Sequence, residues 1–414
     1  MAGYLPRLCD QLIAELVAEF PALLVLGPRG VGKTTSAVEH AKTIIRLDQP
    51  AEAAALAADP DVVLRGLPEP VLLDEWQLVP SVLGAVKRAV DTERRPGRFI
   101  ITGSVHADLE QPTWPGTGRL LRVDMSGLTV RELIGADLSK PPFIDRVLAQ
   151  GRAGLRAPSS YQADLRNYLK LALQGGFPEA ALHLSERGRR RWARSYLDQL
   201  FTRDLAQVDV PRDPVRLHRY FEAYALNTAG LVTEQTLLET AGVNRKTGEA
   251  YEHLLTNLFV VAAVPAWHSN RLKRLVRGPK RYVLDPGLLA AALGMGEEGL
   301  LQDGDLLGRF LDTFVHAQIR AELPLSEHNP RLYHLRDQGG RHEVDLIVEL
   351  PGQRVIGIEI KASAAPGPDS AKHLVWLREQ LGDKFVHGIV LHTGPHVIPM
   401  GDRITAAPIS SIWT

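Results

Sequence analysis

A chain of 414 residues, 45% hydrophobic and 23% charged, is longer than one ordinary core organises and reads as a soluble protein of two or three domains. Lys plus Arg and Asp plus Glu balance at 48 each, so the total charge announces no nucleic-acid partner, and no apolar run approaches the roughly 20 residues of a bilayer span. The opening MAGYLPRLCDQLIAEL lacks the basic start and apolar centre of a secretion signal, and the lone Cys9 excludes an internal disulfide and a thiolate zinc cage; the expected location is the cytoplasm, away from membranes.

In chain order, residues 22 to 125 alternate short apolar runs with helical stretches, the pattern of a parallel sheet covered by helices. The runs Ala22 to Leu26, Thr43 to Leu47, Val71 to Leu73, Phe99 to Thr102 and Leu120 to Val123 predict strands. Residues 51–67 and 80–93 carry apolar positions at helical spacing and predict crossover helices. A first α/β domain over 1–135 is followed by a connection at 136–160, where Pro, Gly and Ser accumulate in DLSKPP and GRAGLRAPSS.

Residues 161–300 form a helical region. Its segment TEQTLLETAGVNRKTGEAYEHLLTNL holds two helical patterns broken at Gly242, then the apolar run Phe259 to Val264, an outline that fits a winged helix-turn-helix. Over 301–414, strand-like runs at Val344 to Val348, Val355 to Ile360 and Val386 to Leu391, with the helical stretch AKHLVWLREQLG before the last, predict a second α/β domain.

Gly27-Pro28-Arg29-Gly30-Val31-Gly32-Lys33-Thr34 matches a P-loop in every fixed position, directly after the strand ALLVL and before a stretch able to be helical. Glycines let backbone N–H groups turn inward around phosphate oxygens, and the following helix points its positive end at the same anion. Lys33 is expected on the β- and γ-phosphates, the Thr34 hydroxyl on Mg²⁺ and Thr35 on the α-phosphate. Forty residues beyond Thr34, the strand Val71-Leu72-Leu73 runs into Asp74-Glu75. Asp74 suits Mg²⁺ held through water, and Glu75 is placed to polarise an attacking water. The strand FIIT ends in Gly103-Ser104, so Ser104, or Thr102 in competition with it, is a candidate sensor of the γ-phosphate. No Asn-Lys-x-Asp string that would read guanine occurs, which favours ATP over GTP.

Towards the C-terminus, Asp345 in EVDLIVE is followed 14 residues later by Glu359-Ile360-Lys361, and strand periodicity sets Glu359 and Lys361 on one face as an exposed carboxylate beside an ammonium. With Asp345 alongside, two carboxylates and a backbone carbonyl suit Mg²⁺ or Mn²⁺, and Lys361 suits a water poised for phosphodiester attack. Polar strand ends that serve solubility or a salt bridge explain the same residues. Arg187, Arg189, Arg190, Arg191 and Arg194 fall within eight residues, and Arg271, Lys273, Arg274, Arg277, Lys280 and Arg281 within eleven, the second where a wing would follow a recognition helix starting near Asn244-Arg245-Lys246. Both clusters suit duplex or branched DNA, or a contact with the chain's own domains.

The strings GPRGVGKTT, VLLDEWQLVP, FIITGSV, GRLLRVDMSGLTVREL, GGFPEA, RSYLDQLFTRDL, RYVLDPGLL, HEVDLIVE, IEIKAS and APISSIW together resemble a family of bacterial and archaeal AAA-type P-loop ATPases with a C-terminal domain of unknown function. The resemblance implies an ATPase domain, a winged-helix middle region and a C-terminal core similar to restriction-endonuclease-like nucleases. It also implies a role for Arg119, at the family's Gly118-Arg119 step, as a phosphate sensor or an arginine finger, with a structural salt bridge as the alternative. Where relatives carry Glu in the helix opening the last domain this chain has Asp312, one methylene shorter, which puts metal ligation and nuclease activity there in doubt. The expected function is a DNA-associated ATP hydrolase, and the alternative is an ATP-dependent switch that engages a protein partner over a catalytically silent scaffold.

Overall fold

The computed structural model describes residues 3–104, 118–156, 164–204, 213–274, 277–337 and 339–414. The chain forms two compact units, Met1–Leu128 with Asn257–Phe259, and Thr129–Thr256 with Val260–Thr414. Among the described residues no helix is long and apolar enough to cross a membrane.

The first unit is built on five strands, β1 (Ala22–Leu26), β2 (Thr43–Arg46), β3 (Val71–Asp74), β4 (Phe99–Gly103) and β5 (Leu120–Asp124), parallel throughout in the order β2-β3-β4-β1-β5. β1, β3 and β4 are buried along their whole length, which is why they read as unbroken apolar runs. Successive side chains of β1 enter different cores. Ala22, Leu24 and Leu26 pack with α5 (Val82–Thr92), and Leu23 and Val25 pack with Ile13 of α1 (Leu8–Glu19) and Ala37 of α2 (Lys33–Val38). The stretch 51–67 is two helices, α3 (Pro50–Ala58) and α4 (Pro60–Leu64). Pro60 cannot continue α3, and the Asp59 carboxylate restarts the helix by accepting from the Val62 N–H at 3.0 Å.

The second unit opens with α6 (Val130–Leu133), started by a capping box between Thr129 and Glu132. α7 (Phe143–Gln150) follows and lies inside the expected connection. Phe143, Ile144 and Val147 of α7 are buried, so the expected connection holds a packed helix after a stretch, 136–142, in which no residue is buried; 157–160 lie outside the described residues. The Pro-Pro pair that suggested a linker ends in Pro142, which caps α7.

The helices α8 (Leu165–Gln174), α9 (Pro178–His183), α10 (Glu186–Asp204) and α11 (Pro214–Leu226) lead to the pair α12 (Glu234–Ala241) and α13 (Arg245–Asn257). Gly242 turns between the last two with φ +65°, Asn244 caps α13 through the Thr247 N–H at 2.9 Å, and buried Gly248 leaves room for Leu238 of α12. The strands β6 (Val261–Val264) and β7 (Lys280–Val283) then pair antiparallel. After α14 (Pro286–Leu293), α15 (Glu297–Gln302) and α16 (Gly304–Glu322) comes a mixed six-stranded sheet. Its strands are β8 (Arg331–Arg336), β9 (Glu343–Leu350), β10 (Arg354–Lys361), β11 (Phe385–His392), β12 (Ile398–Gly401) and β13 (Ile404–Pro408), in the order β12-β13-β11-β10-β9-β8. α17 (Lys372–Leu381) is the crossover that makes β10 and β11 parallel.

Candidate functional site

The parallel sheet delivers three strand ends to one edge of the first unit. Leu26 pairs with Gly103 and Leu73 with Ile101, so the P-loop, Asp74-Glu75 and Ser104 emerge side by side. Gly27 passes so close to Met125 that a Cβ would lie 2.3 Å from its carbonyl oxygen, and Gly32 holds φ +97° at the start of α2. Arg7 fastens the loop from behind by donating to the carbonyls of Val31 and Ser126, each at 2.9 Å. Pro28, Arg29 and Gly30 form the turn, while Thr34 is half-buried and Thr35 exposed on the first turn of α2.

Lys33 is 5% exposed, and its ammonium donates to the carbonyls of Gly27 at 3.0 Å and Pro28 at 2.8 Å. Burial pulls it down to about 8, against the opposing pull of Glu75 and Asp74. The Thr34 hydroxyl donates to Asp74 Oδ1 at 2.7 Å. The same carboxylate oxygen accepts from the buried Thr102 hydroxyl, which also receives the Glu75 N–H at 3.3 Å. Glu75 ends β3 in the left-handed region, φ +58° and ψ +49°. Its carboxylate accepts from Ser104 at 3.0 Å and from Gln77. Thr102 thus serves Asp74, and Ser104 serves Glu75.

Arg119 stands elsewhere. It precedes Leu120, which pairs with Ala22 at the start of β1, whereas the P-loop leaves the other end of that strand, about 13 Å away at 3.3 Å per residue. Its guanidinium grips Asp91 of α5, with Nε to Oδ1 at 2.8 Å and Nη2 to Oδ2 at 3.3 Å. Arg119 thus stands at the strand end opposite the P-loop, in an exposed ion pair with Asp91.

In the second unit, Asp345, Glu359 and Lys361 do come together. Antiparallel pairing sets Leu346 opposite Ile358, and the Ile360 N–H donates to Asp345 Oδ2 at 2.9 Å. Lys361 donates to Glu359 Oε2 at 2.7 Å. Glu359 is 2% exposed and not the surface carboxylate that strand periodicity suggested, because β10 is buried on both faces from Val355 to Glu359. Burial, reinforced by Asp345, pushes its carboxyl up to about 8. Lys280 of β7 completes the cluster, donating to Asp312 Oδ2 at 2.5 Å and standing 3.3 Å from Asp345 Oδ1 and 3.4 Å from the Asp345 carbonyl. Burial opposes its charge, yet Asp312, Tyr282 and Asp345 hold its pKa well above the ordinary lysine value. The Tyr282 hydroxyl donates to Asp312 Oδ1 at 3.0 Å, and its ring stacks on His316 at 3.9 Å. Asp312 is not too short to join the cluster, but what it reaches is an ammonium.

The two basic runs part company. In the second, Arg274 forks onto Glu349 at 2.6 and 2.8 Å, Lys280 is buried as above, Arg281 pairs with Glu252 at 3.3 Å, and Arg277 donates to the Arg336 carbonyl. Arg274, Arg277, Lys280 and Arg281 are thus engaged within the second unit, while Arg271 and Lys273 stay exposed. Arg245, at the start of α13, is held by Glu249 and Glu234. In the first run Arg189 turns back to the Leu184 carbonyl, while Arg187, Arg190, Arg191 and Arg194 are exposed. Sequence reasoning missed Arg7, Gln77 and the placing of Tyr282 beside Lys280 on Asp312, Lys280 having been set in the basic run. Only the last carried a signal, since positions two apart on a strand share a face.

A P-loop, a strand-end Asp-Glu pair and a polar third strand end on a parallel sheet define a P-loop ATPase of the AAA type. Residues 19–134 match the family described as an AAA domain, 165–299 a domain of unknown function (DUF8612) and 307–412 a domain of unknown function (DUF4143). Over 400 residues the chain is 30% identical to the uncharacterized protein Rv2008c of Mycobacterium tuberculosis and equally to the uncharacterized protein Mb2031c of Mycobacterium bovis, covering 95% of this chain and 81% of each relative. The chain belongs to the family of these mycobacterial proteins, with an ATP-binding AAA domain and a C-terminal domain of unknown function. Among solved structures, the Walker-type ATPase PABY2304 of Pyrococcus abyssi aligns at 13% identity and TM-score 0.41, covering 69% of this chain and 94% of that one. A RuvB variant of Thermotoga maritima aligns at 17% and 0.29, covering 66% and 90%.

Proposed function

We propose that the first unit hydrolyses ATP with Mg²⁺ on the site formed by Gly27 to Thr35, Asp74 and Glu75. The observation that carries this reading is the 2.7 Å contact between the Thr34 hydroxyl and Asp74 Oδ1, which brings an alcohol and a carboxylate from separate elements to one point beside the P-loop. These are hard oxygen donors of the kind Mg²⁺ takes, and Thr34 and Asp74 would hold the ion, which supplies charge neutralisation on the phosphoryl group when bound. Lys33 exchanges the two carbonyls of its own loop for phosphate oxygens. Glu75, oriented by Ser104 and Gln77, takes the proton of the attacking water. The test is ATP turnover and nucleotide affinity in three proteins. Lys33→Ala is expected to weaken ATP binding by at least about tenfold, through removal of a charge-assisted hydrogen bond. Glu75→Gln is expected to keep binding and lower kcat by about 10²-fold or more. Turnover in Glu75→Gln equal to that of the unaltered chain would reject Glu75 as the base.

A second reading, association with DNA, is favoured by the exposed arginines of α10. In it α12, α13 and the β6–β7 hairpin are a winged helix whose hairpin packs inward, so the phosphate contacts come from α10. The C-terminal sheet with α16 and α17 is a restriction-endonuclease-like core. Phosphodiester cleavage by Asp345, Glu359 and Lys361 is the activity this motif suggests, and the position of Lys280 argues against it. The core acts in this reading as a scaffold, and a protein partner on the same α10 face is the competing occupant.

A further inference from the structure

The carboxylate cluster of the second unit already holds a cation. Asp312 Oδ2, Asp345 Oδ1 and the Asp345 carbonyl converge at 2.5, 3.3 and 3.4 Å on the ammonium of Lys280, two carboxylates and one backbone oxygen. Oxygen donors of this kind are the ones a hard divalent ion takes, with water completing its shell. Among the described residues no three His, Cys, Asp or Glu side chains converge as metal ligands. We propose that Lys280 is the permanent cation of this cluster and takes the place of a metal, so that the C-terminal domain is an ion-paired structural core and not a metal-dependent nuclease.

Three features keep the ammonium where it is. Lys280 is 1% exposed, so its side chain has no solvated alternative within reach. Its strand is buried along its length and bonded to β6, and the next residue, Arg281, is anchored on Glu252 and on the Val232 carbonyl. Tyr282, two residues on and on the same face, holds the other oxygen of Asp312 at 3.0 Å, so that carboxylate is pinned by two donors from one strand. A divalent ion bonding the same oxygens at about 2.1 Å would stand within a few ångströms of the ammonium. Like charges that close repel by several kcal/mol even at a generous effective dielectric of about 20. The residues present do not fit a metal while Lys280 is there. Its function is to tie the β6–β7 hairpin to α16 and β9, three elements distant in sequence.

The experiment is Mn²⁺ binding to the full chain without nucleotide, followed by electron paramagnetic resonance. The unaltered chain and Asp345→Asn are expected to bind the same amount of Mn²⁺, since neither holds it in the C-terminal domain. Lys280→Ala, which empties the central position, is expected to gain one Mn²⁺ equivalent and to gain thermal stability when Mn²⁺ is added. Both gains disappear in Lys280→Ala with Asp345→Asn. Mn²⁺ bound by the unaltered chain and released by Asp345→Asn would overturn the proposal, as would a folded Lys280→Ala that gains none. Should Lys280→Ala not fold even with Mn²⁺, the comparison of the unaltered chain with Asp345→Asn decides alone. ATP turnover is independent of these outcomes, so failure here and failure of the ATPase reading are told apart.

Discussion

Lys33 shows what burial does to the lysine of a P-loop. Nearly enclosed by its own loop, it loses solvation that two carbonyls and the charges of Asp74 and Glu75 restore only in part, and its pKa falls from 10.5 to about 8. A lysine whose folded value is depressed destabilises the native state at low pH, and that penalty fades as pH rises from about 8 through the unfolded value near 10.5. Ligand binding slopes the other way, because phosphate oxygens require the ammonium. Affinity for ATP is therefore expected to fall as pH rises through 8, by up to about tenfold per unit once most of the free protein is neutral at this site. Equilibrium titration of a non-hydrolysable ATP analogue from about pH 7 to pH 9.5 measures it, with Lys33→Ala as the reference that lacks the slope. An affinity unchanged across that range would show that the ammonium is better solvated than its surroundings here imply. Glu75 is the other costly residue of the site, since a side chain in the left-handed region costs roughly 1–2 kcal/mol. The turn it makes carries the chain from β3 into Trp76 and holds its carboxylate against Ser104, so the strain sits where the proposed chemistry lies.

At the scale of elements, α10 changes character along its length. Arg187, Arg190, Arg191 and Arg194, spaced i, i+3, i+4, i+7, are exposed in its first half, with Arg190 paired to Glu186 at 3.4 Å, while Leu197 and Phe201, which continue the same stripe, are buried in its second half with Ala193 and Leu200. If this face binds DNA, replacing Arg187, Arg191 and Arg194 together by Ala is expected to flatten the dependence of log affinity on log salt by about 0.9 for each phosphate no longer neutralised. Stability should move by only about 0.5 kcal/mol for each exposed arginine. A salt slope that stays the same in the triple variant would remove DNA from this face and leave a protein partner as its occupant. The parallel strands of the first unit and the P-loop were legible in the sequence, because a strand buried on both sides is written as an unbroken apolar run and a phosphate loop as a string of glycines. The run from Arg271 to Arg281 misled because charge is local in sequence while its compensation is not. Arg274 meets Glu349, Lys280 meets Asp312, and Arg281 meets Glu252, pairings that only tertiary packing creates. For the same reason Glu359 reads as a surface residue until the elements above the sheet cover it.

For the molecule as a whole, the boundary falls at Leu128 and Thr129 because buried polar contacts bind the segment after it to residues far along the chain. The Val130 N–H donates to Gln318 at 2.8 Å, Arg131 pairs with Glu322 at 3.2 Å, and the Phe143 N–H donates to the other oxygen of Glu322 at 2.6 Å. Arg146 reaches the Ser411 and Ile412 carbonyls at 3.0 and 2.7 Å. Glu322 is the centre of this arrangement. It receives α6 through a guanidinium and the start of α7 through a backbone N–H, at 3% exposure where water cannot substitute. Glu322→Ala would leave both donors without that acceptor, and breaking a buried charge pair from one side costs about 3–5 kcal/mol. The expected result is a lower melting temperature for the second unit and faster amide exchange in α6, α7 and α16 together, since one carboxylate holds all three. Glu322→Gln, which keeps an acceptor for Phe143 but no charge for Arg131, should fall between the two. Exchange that quickens in α16 while α7 keeps its protection would mean that residues 143–150 are held by Arg146 and the C-terminal carbonyls, and not by Glu322.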